Sequence, residues 1–384
     1  MPSGSYEVKG GDDPMFAKFY NSPDGIKSNE ELFIFATENL VSLEFTRCWS
    51  RAGEFTMVLP FDTDILRKLA VGEIIDYGGN WFMIESLSYD YKKITLSGHD
   101  LGIVLSYRVS TYNPDAQEPG TQGYDTVQGT TAQCIEHYIN NNFIAPADSE
   151  RAVPMSFGSQ PGAGVYKDRY MARLENVLDI TTKLCDDAGK DGIGFRTKLL
   201  GGKIHINLEK SVDKSIDQSV RPRVIFSAER GNITAVSFEH GVNNLFNAVY
   251  ATGADVTEIV YRDNSNIPQG LDRRECATDV SVESVEDIHD YIRDYALKAV
   301  ENNTETHSYE ISVPAGDYGR IYELGDKVTI EEKILGNKYT AIITEAKFTY
   351  SAGREGVTIT LGKQRPRILN RLINNVMNGT ARRN

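Results

Sequence analysis

An α+β fold that is mainly β is predicted: two similar antiparallel β-barrel-like domains with a small α/β domain between them. Three observations predict it. From Leu69 to Arg108 the apolar residues fall in short runs cut by Gly and Asn, with Gly78-Gly79-Asn80 separating Ile74-Ile75 from Trp81, which reads as consecutive strands and tight turns. An echo lies between Leu324 and Gly362. There Gly325-Asp326-Lys327-Val328 answers Gly72-Glu73-Ile74-Ile75, Ile343-Thr344-Glu345-Ala346 answers Ile84-Glu85-Ser86-Leu87, and the six residues from Val357 to Gly362 answer those from Lys93 to Gly98. Blocks that keep their order so far apart point to two related β domains with other material between them. The third observation is that helical spacing is concentrated in that intervening material.

Taken in order, strands are expected at Glu31 to Ala36, Val41 to Thr46 and Glu54 to Pro60, with Trp49 and Phe55 as core or interface aromatics. After Arg108 the texture changes to a Gly-, Pro- and Gln-rich stretch, an exposed loop from Asn113 to Gly129 or a domain border. Thr130 and Gln133 form a capping-box pattern, and Cys134, Ile135, Tyr138 and Ile139 follow at helical spacing. A second helix carries Leu174, Val177, Leu178, Thr181, Leu184 and Cys185 on one face, with Gly189 placed to end it. Two strands joined across Gly201-Gly202 read as a hairpin.

Strands return from Val224. Ser284 and Asp287 open a helix striped by Ile288, Tyr291, Ile292, Tyr295 and Ala299, and strands resume from His307 to Gly362. The domain borders expected on this basis are 1–110, 111–225, 226–365 with an inserted helix at about 284–301, and a tail at 366–384. In the tail Pro366 suits a helix start, and Leu369, Leu372, Ile373 and Val376 form an apolar stripe beside Arg365, Arg367 and Arg371. The tail is therefore read as a docking segment. Packing on its own domain is the plainer alternative.

The chain has 384 residues, 40% hydrophobic and 25% charged, an ordinary globular composition. No run approaches the roughly 18 apolar residues that span a bilayer, and the amino terminus lacks a basic segment followed by an apolar one. Synthesis in the cytoplasm and no membrane insertion are expected. Cys48, Cys134, Cys185 and Cys276 are far apart with no CxxC pair and read as reduced. A formal net charge of −13 argues against a phosphate-neutralising surface. Solubility accounts for it; an acidic wall that repels passing DNA is the other reading.

No motif carries chemistry. Asp187-x-Gly189-x-Asp191-Gly192 imitates the start of a calcium loop, but Gly189 and Lys198 stand where ligands are needed. The six histidines have no zinc-ligand spacing. His99-Asp100 is the most tempting acid–base pair, yet neighbours in a strand face opposite ways, so a turn closing the meander is the better reading. Glu85 and Glu345 as glycosidase carboxylates would need to face one cleft. Their corresponding places in the repeat put them in separate domains. No catalytic, cofactor-binding or metal residue is assigned.

Four blocks together resemble the tail-hub family of tailed bacteriophages, which includes the amino-terminal part of tail-associated lysins. They are Gly72-Glu73-Ile74-Ile75 through Gly98-His99-Asp100-Leu101 to Leu105-Ser106-Tyr107-Arg108; Leu174 to Ala188 with Gly194-Phe195-Arg196; Val224-Ile225-Phe226-Ser227 with Gly231-Asn232-Ile233, Asn243, Asn247-Ala248-Val249-Tyr250 and Gly253; and Tyr322-Glu323-Leu324-Gly325-Asp326 to Leu361-Gly362. The resemblance implies a non-enzymatic homotrimeric ring in the virion tail. Such a ring joins a sixfold tail tube or distal tail protein to a threefold tip, spike or fibre, and genome DNA passes through unread. It implies no cofactor. No hydrolase domain is expected after Arg365-Pro366, which argues against the lytic activity of the lysin members; a cell-wall hydrolase, which only the family resemblance favours, is the alternative on the enzyme side. A host-surface binding module using the Asn113 to Gly129 loop is the other.

Overall fold

The computed structural model describes residues 16–111, 123–158, 162–188, 192–242, 245–253, 256–279, 288–289, 292–293, 296–297, 300, 306–332, 337–351 and 353–362. The chain divides into two compact units, one from the described residues of Met1–Val236 and Glu310–Leu361, the other from those of Ser237–Tyr309 and Gly362–Asn384.

The first unit opens with β1 (Ala17–Tyr20), the helical turn α1 (Asn29–Leu32), β2 (Phe33–Thr37), β3 (Ser42–Cys48), β4 (Glu54–Pro60), the turn α2 (Thr63–Leu66), β5 (Ile74–Tyr77), β6 (Asn80–Tyr89) and β7 (Lys93–Asp100). The strand expected from Glu31 starts at Phe33 instead. Ser28 and Glu31 close a reciprocal capping box, which satisfies the backbone as a helical turn first. Burial alternates along β4 at Phe55, Met57 and Leu59 and along β7 at Ile94 and Leu96. These side chains share a core with Phe19, Phe45 and Phe82. Gly78 and Gly79, with φ of 59° and 80°, make the tight turn between β5 and β6.

An α/β portion follows: β8 (Asp125–Thr130), α3 (Thr131–Ile139), β9 (Met155–Gly158), β10 (Tyr166–Ala172), α4 (Val177–Asp186), β11 (Ile193–Leu200) and β12 (Lys203–Lys210). Thr130 and Gln133 form the expected capping box. The second helix begins later than its apolar spacing suggests. Asn176 caps it by accepting from Leu178 and Asp179 N–H, while Leu174 stays exposed at a left-handed φ of 51°. Gly189 lies outside the described residues. The β11–β12 hairpin turns on Gly201 and Gly202, and β12 also pairs in parallel with β9. Cys134 and Cys185 are buried between α3, α4 and this sheet.

β13 (Val212–Asp213) and β14 (Ile225–Phe226) lead to β15 (Ala235–Gly241). In the second unit β16 (Ala248–Gly253) lies between antiparallel β17 (Val256–Tyr261) and parallel β18 (Glu275–Asp279). Val249, Ala251 and Val260 pack there against Ile292, Ala296 and Val300, spaced four apart on a helix. Ser284, Tyr291, Tyr295 and Ala299 of that expected helix lie outside the described residues. The chain ends its described course with β19 (Thr306–Val313), β20 (Asp326–Glu332), β21 (Asn337–Ser351) and β22 (Arg354–Gly362). β13 and β14 both run parallel to β20.

The internal repeat is real and longer than the sequence blocks suggest. Gly72 (φ 93°) donates to Ile84 O at 2.8 Å, and Gly325 (φ 88°) donates to Ile343 O at 2.9 Å. In the next position Glu73 accepts from Ala70 N–H and Asp326 from Glu323 N–H, each carboxylate closing its own turn. Ile74 faces Met83 as Lys327 faces Ile342, and both ladders slip by one residue after the equivalent Ile84 and Ile343. One block needs correction. Leu87 faces Leu96 as Ala346 faces Ile359, so Val357 answers Ile94, one residue along from the match made on composition. A one-residue slip would turn buried Val357 and Ile359 to the wrong face.

Two more strands belong to it. Val41 donates to Val58 O as Thr234 donates to Ser312 O. That register sets Phe55, Met57, Leu59 and Pro60 against Tyr309, Ile311, Val313 and Pro314. The strand order β3-β4-β7-β6-β5 thus recurs as β15-β19-β22-β21-β20, and in sequence the stretch that carries β16, β17 and β18 falls where the first copy has the short Trp49–Gly53 connection.

All these strands lie on one pairing path of a fourteen-stranded sheet, β15-β19-β22-β21-β3-β4-β7-β6-β5-β1-β2, with β20 branching from β21. The fold is mainly β, as expected, but its strands join in a large antiparallel sheet rather than in two separate barrel-like domains. No closed barrel forms among the described residues, because β21 pairs with β3 of the other copy and opens each into a shared sheet.

Candidate assembly interface

The place where the two copies meet joins aromatic and charged side chains within the first unit. β3 and β21 run antiparallel, Leu43 opposite Tyr350, Phe45 opposite Phe348 and Cys48 opposite Glu345. The Phe45 and Phe348 rings stack at 4.7 Å with 14° between planes. Just past β3, Trp49 donates its N–H to Thr344 O at 2.9 Å, and its carbonyl accepts from Phe195 N–H at 3.0 Å. One residue therefore ties the first copy, the second copy and the α/β hairpin together.

The Trp49 indole lies against two glycines. A Cβ on Gly325 would come within 2.2 Å of the ring, and one on Gly194 within 2.3 Å. Only the absent side chains allow the approach. Charges surround this aromatic centre: Arg51 pairs with Glu345, and Arg196 with Glu209 at 2.6 Å and Glu323 at 3.2 Å. Lys214 meets Asp326 at 2.7 Å. Burial holds the Asp326 carboxyl above the usual carboxylate range, and the Lys214 ammonium pulls it partly back.

The tempting acid–base residues do not assemble. His99 and Asp100 lie on β7 rather than in a turn, and their side chains diverge as neighbouring strand residues must. His99 Nδ1 meets Glu85 Oε2 across the β6–β7 ladder. Asp100 accepts from Gly53 N–H and Gly102 N–H, both at 2.7 Å. Loss of water pushes its carboxyl up to about 6 despite those two donors. In the repeat Glu345 is the counterpart of Ser86, and Glu85 of Thr344, so the two carboxylates are one residue out of step as well as in separate copies. Among the described residues no group of three His, Cys, Asp or Glu side chains is arranged to hold a metal. Gly189 and Asp191 of the calcium-like loop, and most of the Asn113 to Gly129 loop, fall outside the described residues. So do the six interaction residues of the tail, Arg365, Leu369, Arg371, Leu372, Ile373 and Val376.

The seam itself was missed in the sequence, although a signal for it existed. Ser42-Leu43-Glu44-Phe45 and Ala235-Val236-Ser237-Phe238 align in apolar pattern, and pairing them would have extended the repeat to its first strand.

The family described as Siphovirus ReqiPepy6 Gp37-like protein matches residues 33–363. The chain belongs to this family. The Gp37-like chain also shares its fold with solved tail proteins. A 43 kDa tail protein of prophage MuSo2 from Shewanella oneidensis is 14% identical, with a TM-score of 0.51 over 90% of this chain and 96% of that one. Prophage tail protein gp18 from Listeria monocytogenes is 11% identical, TM-score 0.51, over 93% and 97%. The tail protein from Neisseria meningitidis is 15% identical, TM-score 0.50, over 91% and 97%. No curated protein matches the sequence. The resemblance to phage tail proteins drawn from the four sequence blocks is borne out.

Proposed function

We propose that this Gp37-like protein is a structural, non-enzymatic hub at the distal end of a phage or prophage tail. It works as a homotrimeric ring that joins a sixfold tail tube, or a distal tail protein, to a threefold tip, spike or fibre. The observation that carries this is the five-strand unit present twice in one chain with matching registers. Three chains then supply six related barrel-like walls, so the change of symmetry is absorbed inside one polypeptide. That the three solved proteins sharing this fold are all tail proteins supports the place in the virion.

Genome DNA passes through such a ring without being specifically bound, which suits a chain of net charge −13. No helix among the described residues is long and apolar enough to cross a membrane. In this reading 1–110 and 226–365 provide the walls, 111–225 braces them, and the stripe of Leu369, Leu372, Ile373 and Val376 with Arg365 and Arg371 docks the next tail component. Native mass measurement and retention of the tail tube protein on the immobilised chain test the ring. A trimer that holds the tube protein is the expected result; a monomer that holds none overturns it. Clear lysis on a peptidoglycan zymogram, lost on changing His99 or Glu85, would replace the hub with a hydrolase.

A further inference from the structure

The second compact unit carries a cleft of about 450 Å³ at one end of its three-stranded sheet. Its wall is the connection from β17 to β18, folded back against Asn247, the residue before β16. Asn247 anchors that connection from both sides. Its N–H donates to Arg274 O and its carbonyl accepts from Arg262 N–H, each at 3.0 Å, while its side chain donates to Asp272 O at 2.7 Å and accepts from Arg274 N–H at 2.8 Å. Two local turns hold the rest: Asp263 accepts from Ser265 N–H, and Asp272 N–H donates to Gln269 O across Gly270, whose φ is 57°. The Arg262 guanidinium donates to Phe246 O and Val300 O. The shape of the cleft is thus set before anything enters it, which spares a ligand the cost of ordering the loop.

The chemistry of the lining narrows what can enter. Among the described residues the side chains of Asn266, Gln269 and Asp272, which line the cleft, have no hydrogen-bond or ion-pair partner. Two primary amides and a carboxylate offer donors and acceptors together. Ile267 and Pro268 add an apolar patch to the same lining, and Ile267 is exposed. A wholly apolar ligand would leave the amides and the carboxylate without partners. An anion fits no better, because the lining sets the carboxylates of Asp263 and Asp272 against one cation, Arg262, whose donors are spent on two carbonyls. A ligand that uses the whole surface is uncharged, bears several hydroxyls and has one apolar face.

We infer that this cleft binds a neutral saccharide, whose hydroxyls exchange hydrogen bonds with Asn266, Gln269 and Asp272 while the C–H face of the sugar ring lies on Ile267 and Pro268. Hydrogen bonds to an ionised acceptor are the strong ones, so Asp272, accepting from sugar hydroxyls, contributes most of the affinity. The amides donate to and accept from further hydroxyls and set which sugar fits. The inference stands apart from the ring reading, because the cleft lies wholly within the second compact unit and needs no second copy.

The test uses the full chain and three neutral disaccharides, maltose, lactose and N,N′-diacetylchitobiose, followed by saturation-transfer NMR and titration calorimetry. Saturable binding of at least one of them is expected. Asp272→Ala and Gln269→Ala should each weaken that binding about tenfold or more, with circular dichroism and melting midpoint unchanged, because the backbone bonds of both residues survive the change. Asp64→Ala, on the exposed turn α2 of the first unit, should leave binding as it is. No saturable binding of any of the three overturns the inference, and so does binding that neither cleft variant weakens. Tighter binding of sialyllactose than of lactose overturns the assignment to a neutral sugar.

Discussion

The two copies of the five-strand unit share their backbone and differ in what covers it. Gly72 and Gly325 sit in the same turn at nearly the same φ and donate to equivalent carbonyls, yet Gly325 lies under the Trp49 ring while a Cβ on Gly72 would meet nothing closer than Ser22 Oγ, at 3.6 Å. Glu73 closes its turn with no cation in contact among the described residues; Asp326 closes the same turn and is held by Lys214. Turn chemistry and strand pattern are local and recur with the repeat. Packing is a property of position, and duplication has left one turn at a junction and the other at a surface.

The largest effect expected from breaking this difference is at Trp49. Trp49→Ala removes the ring that fills the space over Gly325 and Gly194 and should cost about 3–5 kcal/mol in denaturant unfolding. No residue of the first turn has such a role, so a comparable loss from Ser22→Ala would refute the contrast. Next come the glycines themselves. Ala at either position bears a left-handed backbone cost of about 1–2 kcal/mol. At Gly325 overpacking against the indole adds about 1–3 kcal/mol more. Gly325→Ala should therefore melt well below Gly72→Ala, and equal midpoints would mean that Trp49 moves aside freely.

This contrast also separates what was legible in the sequence from what was not. Glycines at positive φ and alternating Val, Ile and Leu announce turns and strands through local sterics, so the meander, the hairpin at Gly201-Gly202 and the Thr130 capping box could all be read directly. Register was harder, because Thr358 and Thr360 alternate as readily in either frame and only burial of Val357 and Ile359 decides between them. The seam was not legible. It depends on two strands about 300 residues apart in sequence, and the first strand of the second copy is separated from the next by a long stretch carrying β16, β17 and β18 that hides the repeat. The turn expected at His99-Asp100 is absent because both residues continue β7, where strand neighbours do face opposite ways. In the fold Gly98 is a strand residue whose missing Cβ lets Met83 O and Phe55 come close.

The smallest expected effect concerns the two turn carboxylates. Burial raises both Glu73 and Asp326 above the usual carboxylate range. A carboxyl whose folded pKa is raised binds its proton more tightly in the folded state, so between the ordinary carboxylate value and the raised one stability falls as pH rises. Lys214 limits that fall for Asp326 by favouring its charged form. Lys214→Met should thus cost about 1–3 kcal/mol near pH 7, less than for a fully enclosed pair because the lysine is partly exposed. The deficit relative to wild type should shrink as pH is lowered through the window in which Asp326 takes up its proton. Glu73→Gln behaves differently, since the amide still accepts from Ala70 N–H and no cation loses a partner. It should change stability by less than about 1 kcal/mol and flatten the melting midpoint against pH on the acid side. If Lys214→Met showed a deficit independent of pH, the lysine would be acting through its methylene packing and its bond to Ile321 O, and the electrostatic difference between the two turns would be void.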